Sequence, residues 1–152
     1  MTENKSPLTV KIREMREEDI DGVLAIDRKI VGDNRALTYT ETPTSYLGGE
    51  LDVSTVAEVG GKIVGFLFGR IVDSPQGRAD TALLELIGVD PDYRRRGIGS
   101  RLVQVFVESC NQKGVDSVRM MVSWYDWWLL SFLRSQGFSR GEMAEFVRLI
   151  ER

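Results

Sequence analysis

The chain has no histidine and only one cysteine among its 152 residues. Without an imidazole there is no Ser/His/Asp or Cys/His nucleophilic site, no histidine-ligated zinc and no histidine general base. A single cysteine cannot form a disulfide within the chain. If the protein is an enzyme, its base must therefore be a carboxylate, a tyrosine, a lysine or water, and we expect no metal cofactor.

The sequence also lacks long apolar runs and an excess of basic charge. No run approaches the ~18 apolar residues of a membrane span, and residues 1–11 are polar, unlike a signal peptide. The net charge of -3 gives no overall basic surface for nucleic acid. We expect a cytoplasmic protein without nucleic-acid or membrane partners.

The charge is distributed unevenly along the chain. Residues 1–76 contain nine Lys/Arg and thirteen Asp/Glu, for a net charge of -4, whereas residues 77–152 contain eleven and ten, for a net charge of +1. The two halves are therefore expected to face different ligands.

The length and the 42% apolar content are typical of one soluble domain. A chain of this size buries roughly two thirds of the surface that its unfolded form exposes, so it needs no disulfide or metal to stabilise it. We predict a single domain over residues 1–152, with residues 1–7 as a flexible tail.

Hydrophobic periodicity predicts alternating strands and helices. Apolar residues alternate from Leu8 to Arg13 as in a strand, and a stripe from Ile20 to Ile30 indicates a helix. The glycine pair at 60–61 joins two β-rich runs as a hairpin turn. The predicted elements from the hairpin onward are strands 55–59, 62–72 and 82–89, a helix ending at Gly114, a strand at 117–122, a helix from Asp126 to Gln136, and a last strand at 145–150.

This order predicts an α/β (α+β) domain. The strand-helix-strand unit in the second half requires a parallel pair, whereas the hairpin is antiparallel, so the sheet is mixed.

The loop after the predicted strand 82–89 carries the strongest functional signal. Residues 89–101 read VDPDYRRRGIGSR. Glycines at the start of a helix leave backbone amides free to hold a phosphate or pyrophosphate. A Walker A loop is absent, and a dinucleotide fingerprint would need a third glycine where Leu102 stands. On these residues alone, a tight strand-to-helix turn is the alternative.

The loop resembles the signature of the GNAT superfamily of acetyl-CoA-dependent N-acetyltransferases. Arg94, Gly97 and Gly99 fit its pattern of Arg or Gln, two residues, Gly, one residue, and Gly or Ala. The Gly-Phe pair at 137–138 is also similar to that family, and the element order matches over residues 8–150. The resemblance implies the GNAT fold: a mixed, mostly antiparallel sheet with a central parallel strand pair and flanking helices.

The resemblance further implies that acetyl-CoA is the acetyl donor. Its pyrophosphate would lie on the loop amides, and its pantetheine arm would follow the preceding strand. Gly88, unusual inside a strand, is interpreted as a local distortion there. The implied coenzyme-binding residues are Ile87, Gly88, Val89, Arg94, Arg95, Arg96, Gly97, Ile98, Gly99, Ser100 and Asp126.

Glu85 is the candidate catalytic carboxylate. An alkylammonium has a pKa of ~10 and must lose a proton before it attacks a thioester. Glu85 is the one charged residue of 82–89, is predicted to share a strand face with Ile87 and Val89, and matches a position where family members carry a functional glutamate. The Ile87 amide is the implied oxyanion donor. The alternative is a rim carboxylate, or one paired with an arginine.

The remaining expectations concern the acceptor. Tyr39 and Tyr46 are predicted substrate contacts. Leu133 replaces a tyrosine that many family members use as the acid that protonates the leaving thiolate, so we expect activity without a dedicated tyrosine acid. We expect direct attack in a ternary complex on a primary amine, such as a polyamine or aminosugar. The alternatives are protein N-terminal or lysine acetylation, and a non-catalytic acyl-CoA-binding regulatory domain. The sequence leaves open the acyl length and whether the chain is a homodimer.

Overall fold

The computed structural model describes residues 9–32, 53–72 and 80–152. The tail at 1–7, the segment with Tyr39 and Tyr46, and most of the loop at 73–80 lie outside these residues. The chain divides into two compact units, residues 1–121 and 122–152.

The first unit is built on a five-stranded sheet whose spatial order follows the chain. The first three pairings are antiparallel and the last is parallel, which confirms the predicted mixed sheet. The parallel pair stands at one edge of the described sheet, because no further described strand follows it. The strands are β1 (Lys11–Glu14), β2 (Thr55–Val59), β3 (Lys62–Val72), β4 (Thr81–Val89) and β5 (Ser117–Arg119).

The hairpin between β2 and β3 has the predicted bounds and turn. Gly60 and Gly61 have φ angles of 56° and 81°, in the left-handed region that side-chain-bearing residues rarely adopt. The two glycines therefore set the first two pairs of the hairpin, and an irregularity between Ala57 and Glu58 then shifts the register.

Helices cover the two faces of this sheet. A 3-10 turn at Glu17–Asp19 leads into α1 (Ile20–Val31), which packs Val23 and Ile26 against the face that carries Phe66 and Phe68. The opposite face lies under α2 (Ile98–Gln112). A Cβ added at Gly65 would meet the Ile98 and Leu102 side chains at 3.1 and 3.2 Å, so small residues on β3 let α2 approach closely.

The second unit contains one helix, α3 (Trp127–Ser135). The Asp126 side chain accepts a hydrogen bond from the Leu129 N–H at 3.1 Å, and Gly137 has a φ of 89° after the last turn. Both predicted ends of this helix are confirmed.

Two strand predictions in the C-terminal part were wrong. The strand predicted at 117–122 ends at Arg119, and residues 145–150 form no strand. Apolar alternation shows that a segment could bury one face, but a strand also needs a backbone partner, and no described strand pairs with residues 145–150.

Candidate active site

The loop between β4 and α2 exposes the N-terminus of a 15-residue helix. Gly97 precedes that helix with a φ of 74°, and a Cβ added there would meet nothing within 4 Å. Arg95 also has a positive φ, 63°. Because Arg94, Arg95, Arg96 and Gly97 are all exposed, the segment that leads into the first helical amides is open and cationic. These residues fit a pyrophosphate.

Asp90 anchors the start of this loop. Its N–H donates to the Val64 carbonyl at 2.8 Å, and its own carbonyl accepts from the Tyr93 N–H at 2.8 Å. Its carboxylate accepts from the Asp92 N–H at 3.0 Å and from the Lys29 ammonium of α1 at 3.0 Å. One residue therefore ties the loop to β3 and to α1.

The Asp90 side chain is only 2% exposed. Burial alone would raise the pKa of this carboxyl, but the Asp92 N–H and the Lys29 ammonium outweigh burial and hold the pKa below its usual value. The carboxylate is therefore charged at neutral pH and keeps the loop entry fixed.

Cation–π contacts also order the loop side chains. The Lys62 ammonium lies 5.4 Å from the centre of the Tyr93 ring, and the Arg96 guanidinium carbon lies 5.7 Å from it. The Tyr93 ring thus contacts one cation from β3 and one from the loop.

One edge of β4 is open next to this loop. β4 pairs with β5 only from Thr81 to Leu83, so no described strand lies on that side of residues 84–89. The backbone groups of Ile87 and the Val89 N–H are therefore within the part of the strand that can pair with an extended ligand. The Val89 carbonyl accepts a hydrogen bond from the Arg94 Nε–H at 3.4 Å.

A β-bulge changes the direction of the Glu85 side chain. Phe68 pairs with Leu86 but Gly69 pairs with Leu84, so Glu85 is the extra residue on β4. The bulge interrupts the alternation, and the predicted common face for Glu85 and residues 87 and 89 was wrong. Bulges are frequent beside active sites because they redirect one side chain.

Glu85 pairs with an arginine of the neighbouring strand. The Arg70 Nε–H donates to Glu85 Oε1 at 2.5 Å, and the two side chains are 46% and 29% exposed. Arg70 belongs to the α1-facing series of β3 together with Phe66 and Phe68. The ion pair considered as the alternative for Glu85 is present, and both groups remain accessible to a ligand.

Gly88 has a packing role rather than the predicted distortion. A Cβ there would meet the Phe66 ring at 2.6 and 2.7 Å and the Ile30 side chain at 3.1 Å. The missing side chain makes room for the Phe66 ring, whereas the irregularity of β4 lies at Glu85.

Other candidates fall elsewhere. Asp126 caps α3 in the second unit, and Leu133 is buried on the same helix. Burial raises the pKa of the Cys110 thiol to about 11, with Lys113 opposing the shift, so this cysteine is protonated and unsuited to carry an acetyl group. The coenzyme and substrate roles of individual residues stay predictions.

Sequence reasoning did not single out Arg70 or Lys29. Arg70 is the one charged residue between positions 63 and 72, a signal that could have marked it. Lys29 had no such signal, because its partner lies sixty-one positions away.

Comparisons with known proteins agree with this architecture. The model of the acetyltransferase (GNAT) family matches residues 24–140. An uncharacterized N-acetyltransferase of Methanocaldococcus jannaschii is 31% identical over 100 residues, which cover 64% of this chain and 44% of that protein. The chain thus spans less than half the length of this curated relative.

Two solved structures have a similar fold. A transcriptional regulator from Bacillus halodurans matches with a TM-score of 0.77 and 20% identity, over 93% of this chain and 100% of that one. The aminoglycoside N-acetyltransferase AAC(6')-Iy, solved with CoA, matches with a TM-score of 0.75 and 18% identity, over 95% and 97% of the two chains. At these identities the likeness concerns the fold.

Proposed function

Because this chain belongs to the acetyltransferase (GNAT) family, we propose that it transfers the acetyl group of acetyl-CoA to a primary amine of a small cationic molecule, by direct attack in a ternary complex. The observation that carries the proposal is the bulge that redirects Glu85 on the stretch of β4 whose edge is open. A carboxylate thus lies two residues from Ile87, on the strand that would carry the pantetheine arm.

Different residues of the chain bind different parts of acetyl-CoA. Acetyl-CoA supplies an activated thioester carbonyl when it is bound. The loop amides from about Arg95 to Ser100 bind the pyrophosphate, and Arg94, Arg95 and Arg96 attract it. The open edge at Ile87, Gly88 and Val89 aligns the pantetheine arm, and Asp90 holds the loop and strand in register.

Glu85 takes up the proton of the incoming ammonium. The neutral amine nitrogen then forms a bond to the carbonyl carbon, and the carbon–sulfur bond breaks. The Ile87 N–H donates to the carbonyl oxygen as negative charge develops on it. The thiolate leaves and is protonated by water or by the newly formed ammonium, because Leu133 offers no hydroxyl and a thiol pKa of ~8.5 makes the thiolate a good leaving group.

The charge distribution favours a cationic acceptor. The first 76 residues carry a net charge of -4, and they include the segment with Tyr39 and Tyr46 that we propose as acceptor contacts. The similarity to an aminoglycoside acetyltransferase supports an amine of this kind. We further propose that the protein acts in the cytoplasm as one domain.

Two alternatives stay open. A protein N-terminus or lysine is also a primary amine and would use the same carboxylate. The likeness to a transcriptional regulator keeps a non-catalytic, acyl-CoA-binding role in view. Thiol release from acetyl-CoA, measured with a panel of amines, distinguishes that non-catalytic role from both enzymatic functions.

Replacing Glu85 with glutamine tests the catalytic assignment. The amide cannot accept the ammonium proton, so kcat/KM is expected to fall by the ~10²–10⁴ typical of a lost general base, with little change in acetyl-CoA affinity. Initial rates of thiol release and calorimetric titration with acetyl-CoA measure the two effects.

Glu108, exposed on α2, supplies the matched control Glu108→Gln, which should behave as wild type. A Glu85→Gln variant that kept most of its activity between pH 6 and 8 would make Glu85 a rim residue and end its catalytic role.

A further inference from the structure

The Arg70–Glu85 pair places an anion-binding group beside the proposed amine-binding group. Arg70 uses only Nε toward Glu85, and its two terminal nitrogens have no partner among the described residues. The Arg70 side chain is 46% exposed. The terminal nitrogens of an arginine are suited to bind a carboxylate through two parallel hydrogen bonds.

The two strands set this arrangement through their backbones. Arg70 lies opposite Leu83 on β4, and the bulge brings the Glu85 side chain to the side of the sheet on which Arg70 lies. A guanidinium that served only to pair with Glu85 would add little to stability, since exposed ion pairs are only weakly stabilising.

An acceptor with a positive charge alone would meet an unfavourable neighbour here. Its ammonium would approach Glu85 beside the Arg70 guanidinium, and the two cations would repel each other. An acceptor that also carries an anionic group avoids this cost, because its ammonium binds Glu85 while its carboxylate binds the Arg70 fork.

We infer that Arg70 is a specificity-determining residue that selects amines bearing a carboxylate close to the reacting nitrogen, that is, amino acids with a second amine rather than plain polyamines. This inference rests on the proposed function and deepens it, since it names the chemical class of the acceptor. Arg70 would bind the acceptor and take no part in proton transfer.

The test compares two acceptors that differ only in a carboxylate, L-ornithine and putrescine. Wild-type protein is expected to show the higher kcat/KM with ornithine. Arg70→Gln should lower the ornithine-to-putrescine ratio of kcat/KM by roughly tenfold to a hundredfold, the range of a lost charge-assisted hydrogen bond.

The ratio isolates acceptor recognition from other effects of the variant. Loss of Arg70 also removes the partner of Glu85, but that change acts on both acceptors and cancels in the ratio. Arg70→Lys keeps the charge without the fork and should retain part of the preference. Arg28→Gln, exposed on α1, is the control and should leave the ratio unchanged.

The outcomes separate this inference from the proposed function. Equal kcat/KM for the two acceptors in wild type, or a ratio that Arg70→Gln does not change, overturns the role of Arg70 while amine acetylation stands. If acetyl-CoA binds but no amine is acetylated, the proposed function is wrong and the inference falls with it.

Discussion

At the scale of single residues, the backbone conformation at Gly97 is the clearest link between the sequence and the proposed coenzyme binding. Its φ of 74° lies in the left-handed region that favours glycine. Glycine was predictable here because the requirement is local: a helix start that receives a phosphate needs a residue without a side chain.

Gly97→Val should weaken acetyl-CoA binding at least about tenfold, equivalent to 1.4 kcal/mol. A β-branched side chain disfavours the left-handed conformation and covers the amides that would meet the pyrophosphate. Isothermal titration calorimetry on the folded variant measures the effect, and Gly99→Val should act in the same direction.

Gly114→Val is the matched control, because Gly114 also has a positive φ, 78°, with open space around it, at the other end of α2. It should lose comparable stability and bind acetyl-CoA as wild type does. Unchanged affinity in Gly97→Val and Gly99→Val, with both folded, would contradict the assignment of the loop.

The pairing of Glu85 with Arg70 shows what single residues could not predict. Glu85 was found because it is a lone charge in an apolar strand. Its partner and direction depend on a register shift between β3 and β4, and that shift is set by packing across two strands rather than by any local motif.

At the scale of elements, a partly buried ion cluster joins β1, β2 and the turn before α1. The Asp19 carboxylate accepts from Arg13 Nη1 at 2.7 Å, from Arg13 Nη2 at 2.8 Å and from the Arg16 N–H at 2.8 Å. The Glu58 carboxylate lies 3.3 Å from Arg13 on the other side. This cluster fixes where α1 begins relative to the sheet.

The cluster makes the stability of the fold depend on acid pH. Burial alone would raise the pKa of Asp19. The hydrogen bonds that its carboxylate accepts from Arg13 and Arg16 outweigh burial, so the pKa lies below its usual value. Stability from a lowered carboxyl pKa is complete above the unfolded pKa of ~3.9 and is lost as the pH falls through the folded pKa.

Asp19→Asn is therefore expected to reduce the free energy of unfolding by about 3 kcal/mol at pH 7, the low end for breaking a buried pair, since Glu58 still faces Arg13. The difference from wild type should narrow as the pH falls below about 4. Urea unfolding at pH 7, 4 and 3 measures it, with Glu17→Gln, exposed in the same turn, as the control. A difference that stayed constant across this range would contradict the role of the charged Asp19.

Element boundaries were predictable where the signal was local. Gly60-Gly61 gave the hairpin, and Asp126 with Gly137 gave both ends of α3. The short β5 and the absent strand at 145–150 were not predictable, because apolar alternation does not reveal whether a backbone partner is present. The tether from Lys29 to Asp90 was likewise hidden by its sequence separation.

At the scale of the whole molecule, the elements needed for the proposed reaction come from residues 1–121. The hairpin, the bulged β4, the loop and α2 all belong to this first unit. No described helix is long and apolar enough to cross a membrane. The family could be recognised from the spacing of glycine and arginine in the loop together with the Gly-Phe pair and the order of the elements. The proposed acceptor depends instead on the contact between Arg70 and Glu85, which the register of β3 and β4 sets.

The most direct test of the account is the release of coenzyme A thiol from acetyl-CoA, measured with and without a panel of primary amines and peptides, and with the product identified by mass spectrometry. We predict thiol release that depends on a small cationic amine and yields the N-acetylated amine in equal amount. Acetyl-CoA that binds to the loop while no amine or peptide accelerates its loss would contradict the account and favour the non-catalytic, coenzyme-binding role.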